Sequence, residues 1–180
     1  PLVRNWDKYP EPERQKKVAV IGGGIAGIEA ALVLDGRGHE VTLFEKSDRL
    51  GGQLNAACKP EFKWPIRDYL DFMIRKVGES GIEVKINTAA DTEMIKAEGY
   101  DAVICALGSK AKTVPVKGAD QSFIWMAEDA LLHENELGHK VVVIGGADTG
   151  RDTALHLAQK GHEVVMLTRR QAKLWHDFHV

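Results

Sequence analysis

A thirty-residue pattern occurs twice in this chain, and that repeat constrains the fold more than any other feature. Residues 17–46 read KVAVIGGGIAGIEAALVLDGRGHEVTLFEK, and residues 140–169 read KVVVIGGADTGRDTALHLAQKGHEVVMLTR. Gly22 falls on Gly145, Gly27 on Gly150, His39 on His162 and Glu45 on Thr168, at a constant offset of 123 with 14 of 30 positions identical. In the first copy Val18, Val20 and Ile21 make the β-branched run of a parallel strand buried on both faces. Gly22-Gly23-Gly24 stops it. Ile25, Ile28 and Leu32 then recur at helical spacing. Gly36 and Gly38 end that helix, and Val41 to Phe44 resume a strand. A strand–helix–strand unit of this length makes two parallel strands with a right-handed crossover. The fold class is therefore α/β: a Rossmann-like parallel sheet with helices on both faces, followed by a second, truncated Rossmann-like unit.

The stretch between the copies continues the same logic. Pro65 suits the first turn of a helix, and Ile66, Tyr69, Leu70, Met73 and Val77 keep one face of it apolar. Ile82, Val84 and Ile86 alternate as in a half-buried strand. Ala102 to Leu107 is an unbroken apolar strand ending at Gly108, Ser109 to Gly118 connects two domains, and Met126 to His133 makes a short helix. The expected organisation is a polar lead-in over 1–16, a first nucleotide-binding domain over 17–110, a connecting segment over 111–138 and the start of a second nucleotide-binding domain over 139–180. Strands Val18–Ile21, Val41–Glu45 and Ala102–Ala106 belong to one sheet, and Val141–Ile144 begins a separate one. Pro1 is not an initiator residue, so this reading places further chain upstream.

Gly22-x-Gly24-x-x-Gly27 is the dinucleotide pattern: Gly22 for a tight turn, Gly24 for close approach of a pyrophosphate, Gly27 for helix–strand packing. The pyrophosphate sits on the helix N-terminus around Ile25 and Ala26, where unspent N–H groups and the helix dipole favour an anion. A lone pattern of this kind is weak. Here it follows a strand, opens a helix and meets Glu45 at the end of the next strand, the place of a ribose-binding carboxylate. Glu45-Lys46 then runs into Arg49-Leu50-Gly51-Gly52-Gln53-Leu54. An acid followed shortly by Gly-Gly resembles the FAD signature of flavoproteins with two dinucleotide domains. In that reading Gly52, Gln53 and Leu54 fold over the flavin pyrophosphate and Arg49 adds positive charge. Ala106-Leu107-Gly108 takes the place of the later Ala-Thr-Gly turn, with Leu107 lacking the usual hydroxyl.

These stretches, in this order and spacing, are similar to the C-terminal region of the NADH:flavin oxidoreductases related to old yellow enzyme. That group includes 2,4-dienoyl-CoA reductase, enoate and bile-acid-modifying reductases, and trimethylamine dehydrogenase. The resemblance covers about residues 16–170. It implies an N-terminal barrel, absent from this chain, that carries FMN and a 4Fe-4S cluster. It implies electrons passing from NAD(P)H through FAD to that barrel, which reduces an enoate or enoyl-type substrate. It also leaves open a module without redox activity that holds ADP as a structural ligand, as in trimethylamine dehydrogenase. On this reading no residue of the chain is catalytic, and the 180 residues alone bind nucleotide weakly and turn nothing over. The barrel of the same polypeptide is the expected protein partner, and a homo-oligomeric parent is compatible.

The second turn is not a copy of the first. Gly145, Asp148, Thr149 and Gly150 are its candidate contacts, with Ala147 where Gly24 stands. Thr168 replaces Glu45, and Arg169 and Arg170 follow. A carboxylate repels a ribose 2′-phosphate and arginines attract it, so the sequence leans toward NADP(H) over NAD(H). Two arginines also suit a solvated strand end. Other classes fit less well. Thiol–disulfide chemistry needs a cysteine pair after Gly52, and the chain has only Cys58 and Cys105. Cys105 reads as a small core residue. His39 and His162 hold equivalent turn positions, and His176 and His179 have no partner ligands, so no metal is expected. A net charge of −2 without a basic stripe speaks against nucleic acid. Strand-sized apolar runs speak against a membrane span, and two distant cysteines suit a reducing cytoplasm.

Overall fold

The computed structural model describes residue 10, residues 12–112 and residues 116–169. Arg170, His176 and His179 lie outside these. The chain divides into two compact units: the first is built from the described residues up to Asn55 and from Pro65–Lys110, the second from Ala56–Trp64 and the described residues from Ala111 onward.

The first unit holds a four-stranded parallel sheet. Strand β1 is Lys17–Ile21, β2 Glu40–Phe44, β3 Glu83–Lys85 and β4 Ala102–Cys105. Their order is β3-β2-β1-β4, with Val18 opposite Val41 on one side and Ala102 on the other. Helix α1 (Ile25–Gly36) crosses from β1 to β2. It is followed by the short α2 (Leu54–Ala57) and by α3 (Trp64–Gly78). Ile28, Ala31 and Leu32 of α1 and Met73 and Val77 of α3 pack with Val20, Val41 and Leu43, so both helices cover the same face of the sheet. On the other face Phe44 meets the Tyr100 ring edge-on at 6.1 Å, and the Lys85 ammonium lies 5.3 Å from the Phe44 ring centre. Because the central strands are covered on both faces, β2 is buried from Val41 through Phe44.

The edges of this sheet differ from the expected pattern. Ile82 is buried, but Val84 and Ile86 are exposed and the strand is cut to Glu83–Lys85. Asn87, at φ 53°, turns the chain away just beyond it. At the opposite edge β4 stops at Cys105, and Val103 and Cys105 are exposed. The expectation of Cys105 as a core residue is thus corrected: it points from an edge strand whose alternate residues have no cover among the described residues. Cys58 is the buried cysteine.

The second unit pairs β5 (Lys140–Ile144) with β6 (Glu163–Leu167) in parallel, Val141 opposite Val164. Helix α6 (Asp148–Gln159) joins them, after a helix α4 (Thr92–Ala97) in the first unit and α5 (Ala127–Leu132) here. Ala130, Leu131 and Leu157 close a small core. Ala56–Trp64 is held to α6 by Lys63 to Asp152 at 2.8 Å and Lys160 to Glu61 at 3.4 Å. His156, almost fully buried on α6, has its Nε2 at 2.5 Å from a Glu134 oxygen. The two helix ends are built alike. Gly38 (φ 85°) and Gly161 (φ 93°) reverse the chain, and the amides of His39 and His162 close on Leu34 and Leu157 carbonyls.

Candidate nucleotide site

The first glycine turn is assembled by close backbone approach. Gly22 has φ 110°, its N–H donates to the Phe44 carbonyl at 2.8 Å, and a Cβ there would stand 2.3 Å from the Ala106 carbonyl oxygen. At Gly27 a Cβ would meet the Gly22 carbonyl oxygen at 1.8 Å, which is what lets the first turn of α1 lie against β1. Gly24 caps α1 with extended torsions and no side-chain cap. The N–H groups of Ile25, Ala26 and Gly27 therefore open the helix without a side chain competing for them.

Glu45, one residue past β2, is buried beside this turn. Its Oε2 accepts from the Gly23 N–H at 2.7 Å, and its Oε1 accepts from the Ser47 N–H at 2.8 Å and the Ser47 hydroxyl at 2.7 Å. Burial pushes the Glu45 carboxyl up. The Ser47 hydroxyl, the Ser47 and Gly23 amides and the charge of Lys46 outweigh that and hold it below the usual carboxylate range. The site thus keeps a fixed anion where the sequence places the ribose.

The Gly-Gly loop lies directly on the turn. The Gly51 N–H donates to the Gly23 carbonyl at 2.8 Å, and Gly24 and Gly51 form a parallel bridge. Gly52, at φ 53°, passes so close that a Cβ on it would be 3.0 Å from the Gly24 Cα. Gln53 donates from Nε2 to the Ser109 carbonyl at 2.8 Å, tying the loop to the end of the Ala106-Leu107-Gly108 segment. Leu54 opens α2. Leu107 is exposed, and Arg49 is an exposed guanidinium paired with its neighbour Asp48 at 2.9 Å. One small region thus gathers Gly22, Gly24, Ile25, Ala26, Gly27, Glu45, Lys46, Gly52, Gln53, Leu54, Ala106 and Gly108.

The second unit repeats the turn with different chemistry. Gly145 has φ 124°, a Cβ at Gly150 would stand 2.1 Å from the Gly145 carbonyl oxygen, and Ala147 caps α6 with φ −79° and ψ 176°, close to the −72° and 177° of Gly24. The partner of Glu45 is Thr168: a Cβ on Gly146 would meet its Oγ1 at 2.5 Å, as one on Gly23 would meet Glu45. Asp148 forms an ion pair with Arg151 one turn on, so the carboxylate at this helix start is neutralised locally. Thr149 accepts from the Thr153 hydroxyl through its carbonyl at 2.8 Å. Arg169 ends the described chain beyond β6.

Two residues escaped the sequence reading. Ser47 holds Glu45 and Ser109 anchors Gln53. Ser47 carried a readable signal, a hydroxyl residue two places after a strand-end acid, where side chain and amide turn back onto it. Ser109 carried none. Among the described residues no set of three or more His, Cys, Asp or Glu is placed to hold a metal, and no helix is long and apolar enough to cross a membrane.

Comparison with known proteins agrees with this geometry. Two profiles described as pyridine nucleotide-disulphide oxidoreductase match residues 74–178 and residues 17–92. The chain is 43% identical over 155 residues to the cinnamate reductase of Clostridium sporogenes, covering 86% of this chain and 23% of that protein. It is 40% identical over 157 residues to an NADH oxidase of Thermoanaerobacter brockii, covering 85% and 24%. Among solved structures a 2-naphthoyl-CoA reductase complexed with 2-naphthoyl-CoA superposes with a TM-score of 0.83 at 33% identity, over 90% of this chain and 24% of that one. The chain spans about a quarter of the length of the curated relatives it matches.

Proposed function

The chain belongs to the pyridine nucleotide-disulphide oxidoreductase family, and from that premise we propose that it is the FAD- and NAD(P)-binding module of a flavin-dependent oxidoreductase. One observation carries the proposal: the Gly51-Gly52 loop rests on Gly23-Gly24, with Gly52 at a positive φ and too close to Gly24 for a side chain, while the adjoining α1 start stays free of side chains. A Cβ at Gly52 would press on the cradle, so the residues present fit a pyrophosphate.

In this reading the amides of Ile25, Ala26 and Gly27 hold the pyrophosphate, Glu45 takes the adenosine ribose, and Lys46 lowers the cost of bringing in negative charge, whereas the charge of Arg49 is offset by its pairing with Asp48. Gly52, Gln53 and Leu54 shield one side, and Ala106, Leu107 and Gly108 line the strand end. Gly145, Asp148, Thr149 and Gly150 form the nicotinamide-nucleotide turn. There the absence of a carboxylate at Thr168, with Arg169 and Arg170 beyond it, favours NADP(H) over NAD(H). When bound, FAD supplies hydride acceptance from the nicotinamide and onward electron transfer; this chain supplies binding, orientation and exclusion of water.

In the parent protein a separate barrel would hold FMN and a 4Fe-4S cluster and would supply the onward electron transfer. Cinnamate and 2-naphthoyl-CoA, in the names of two relatives, are both conjugated aryl carbonyl compounds. That supports a substrate with a conjugated carbonyl. In the full-length parent, Glu45→Ala lowers FAD retention by about 1–3 kcal/mol, the scale of a hydrogen bond to a charged group. Nucleotides released from purified wild type and variant give the answer. Normal FAD content in the variant sinks the ribose role, and one flavin accompanied by ADP in the wild type selects a structural nucleotide over a redox one.

A further inference from the structure

Resting on the ribose role of Glu45, we infer that the Ser47 hydroxyl is an exchangeable placeholder: it occupies one acceptor position of the Glu45 carboxylate and yields it to a ribose hydroxyl by swinging out to solvent. A carboxylate offers about four acceptor positions. Three are filled, one on Oε2 by the Gly23 N–H and two on Oε1 by the Ser47 N–H and hydroxyl. One position is left, yet a ribose 2′,3′-diol brings two donors. The two amide donors are fixed in backbone: Gly23 by the glycine turn, Ser47 by a chain whose carbonyl accepts from the Asn87 N–H at 2.8 Å. Only the hydroxyl moves without remodelling.

It has somewhere to go. Ser47 Oγ lies 2.7 Å from Glu45 Oε1 and 2.9 Å from the Arg49 carbonyl oxygen, and with a single proton it serves one acceptor at a time. Ser47 is exposed, so rotation about its Cα–Cβ bond carries Oγ and its proton from Glu45 and the Arg49 carbonyl into water, while a ribose hydroxyl takes the vacated position. No buried polar group is left unpaired at any stage, which keeps the exchange cheap. Ser47 therefore competes with the nucleotide for Glu45, and its removal tightens binding of a ligand that carries the diol.

The test uses the whole chain, with the Gly23 and Ser47 (or residue 47) amide signals followed by NMR during titration with ADP and with 2′,3′-dideoxy-ADP at a pH where Glu45 is ionised. Wild type should bind ADP more tightly than the dideoxy compound. Ser47→Ala should bind ADP about fivefold more tightly than wild type, the equivalent of one modest hydrogen bond, with the dideoxy affinity unchanged. Ser47→Thr, which keeps the hydroxyl, should behave as wild type. Weaker or unchanged ADP binding in Ser47→Ala, or equal changes for both ligands, overturns the placeholder and makes Ser47 a holder of the loop. A wild type that does not distinguish the two ligands overturns the ribose role of Glu45 itself.

Discussion

Gly24 and Ala147 share nearly the same extended torsions at the start of α1 and α6, so backbone conformation does not demand glycine at either place. Space decides. A Cβ on Gly24 would meet only the Gly52 Cα, at an ordinary 3.9 Å, and would otherwise project where a pyrophosphate is expected. At Gly27 the same methyl would collide with the Gly22 carbonyl. The two substitutions should therefore fail differently. Gly27→Ala must move α1 off β1 and should cost about 3 kcal/mol in the unfolding free energy measured with urea. Gly24→Ala should cost no more than about 1 kcal/mol, the scale of a poor helix cap. It should weaken ADP binding by about tenfold, equal to roughly 1.4 kcal/mol. Equal stability losses in both variants would mean that Gly24 is a folding residue and the cradle is misassigned.

At the scale of elements, the repeat made β1, α1, β2 and their second copies legible, because apolar β-branched runs and glycines at chain reversals recur at a constant offset, although alternate residues of β5 and β6 are exposed. The glycine turn and Glu45 were legible for the same reason. The sheet edges were not. The alternation of Ile82, Val84 and Ile86 tells which residues share a face, not whether anything covers it, and the run through Cys105 looks the same at an edge as in a centre. Nor could the placement of Ala56–Trp64 be read: the residues that hold it to α6, Asp152 and Lys160, lie some ninety positions away in sequence. Both Lys63 and Asp152 keep about a third of their side chains exposed, at 31% each, so solvent screens the pair and its worth stays below about 1 kcal/mol. Asp152→Asn should then raise amide hydrogen exchange across residues 56–64 severalfold while leaving β1 and β2 protected. Uniform acceleration through both units would show that this segment is not a local part of the second one.

For the whole molecule, the repeat has been duplicated in geometry and divided in charge. Both copies carry a left-handed first glycine, a third glycine packed on the first one's carbonyl and a helix start that favours phosphate. Where the strand after the helix ends they differ in charge: Glu45 in one, Thr168 in the other, each close against the middle of its own turn. A carboxylate held below its usual range by Ser47 and Gly23 is an anion at neutral pH, and it repels a ribose 2′-phosphate by several tenths to a few kcal/mol depending on the local dielectric. Thr168, followed by Arg169, carries no such charge. On the proposed function, one chain would sort two nucleotides by a single phosphate. Adenosine 2′,5′-bisphosphate should bind through the second unit, shifting NMR signals of Gly145–Gly150 and leaving Gly22–Gly27 unmoved. Arg169→Ala should weaken that binding about threefold to tenfold, on the order of one charge-assisted contact. ADP should shift the first turn, with Glu45→Ala abolishing its preference there. If the bisphosphate instead perturbs the first turn as strongly as ADP does, the division of charge between Glu45 and Thr168 does not select the nucleotide, and the lean toward NADP(H) falls with it.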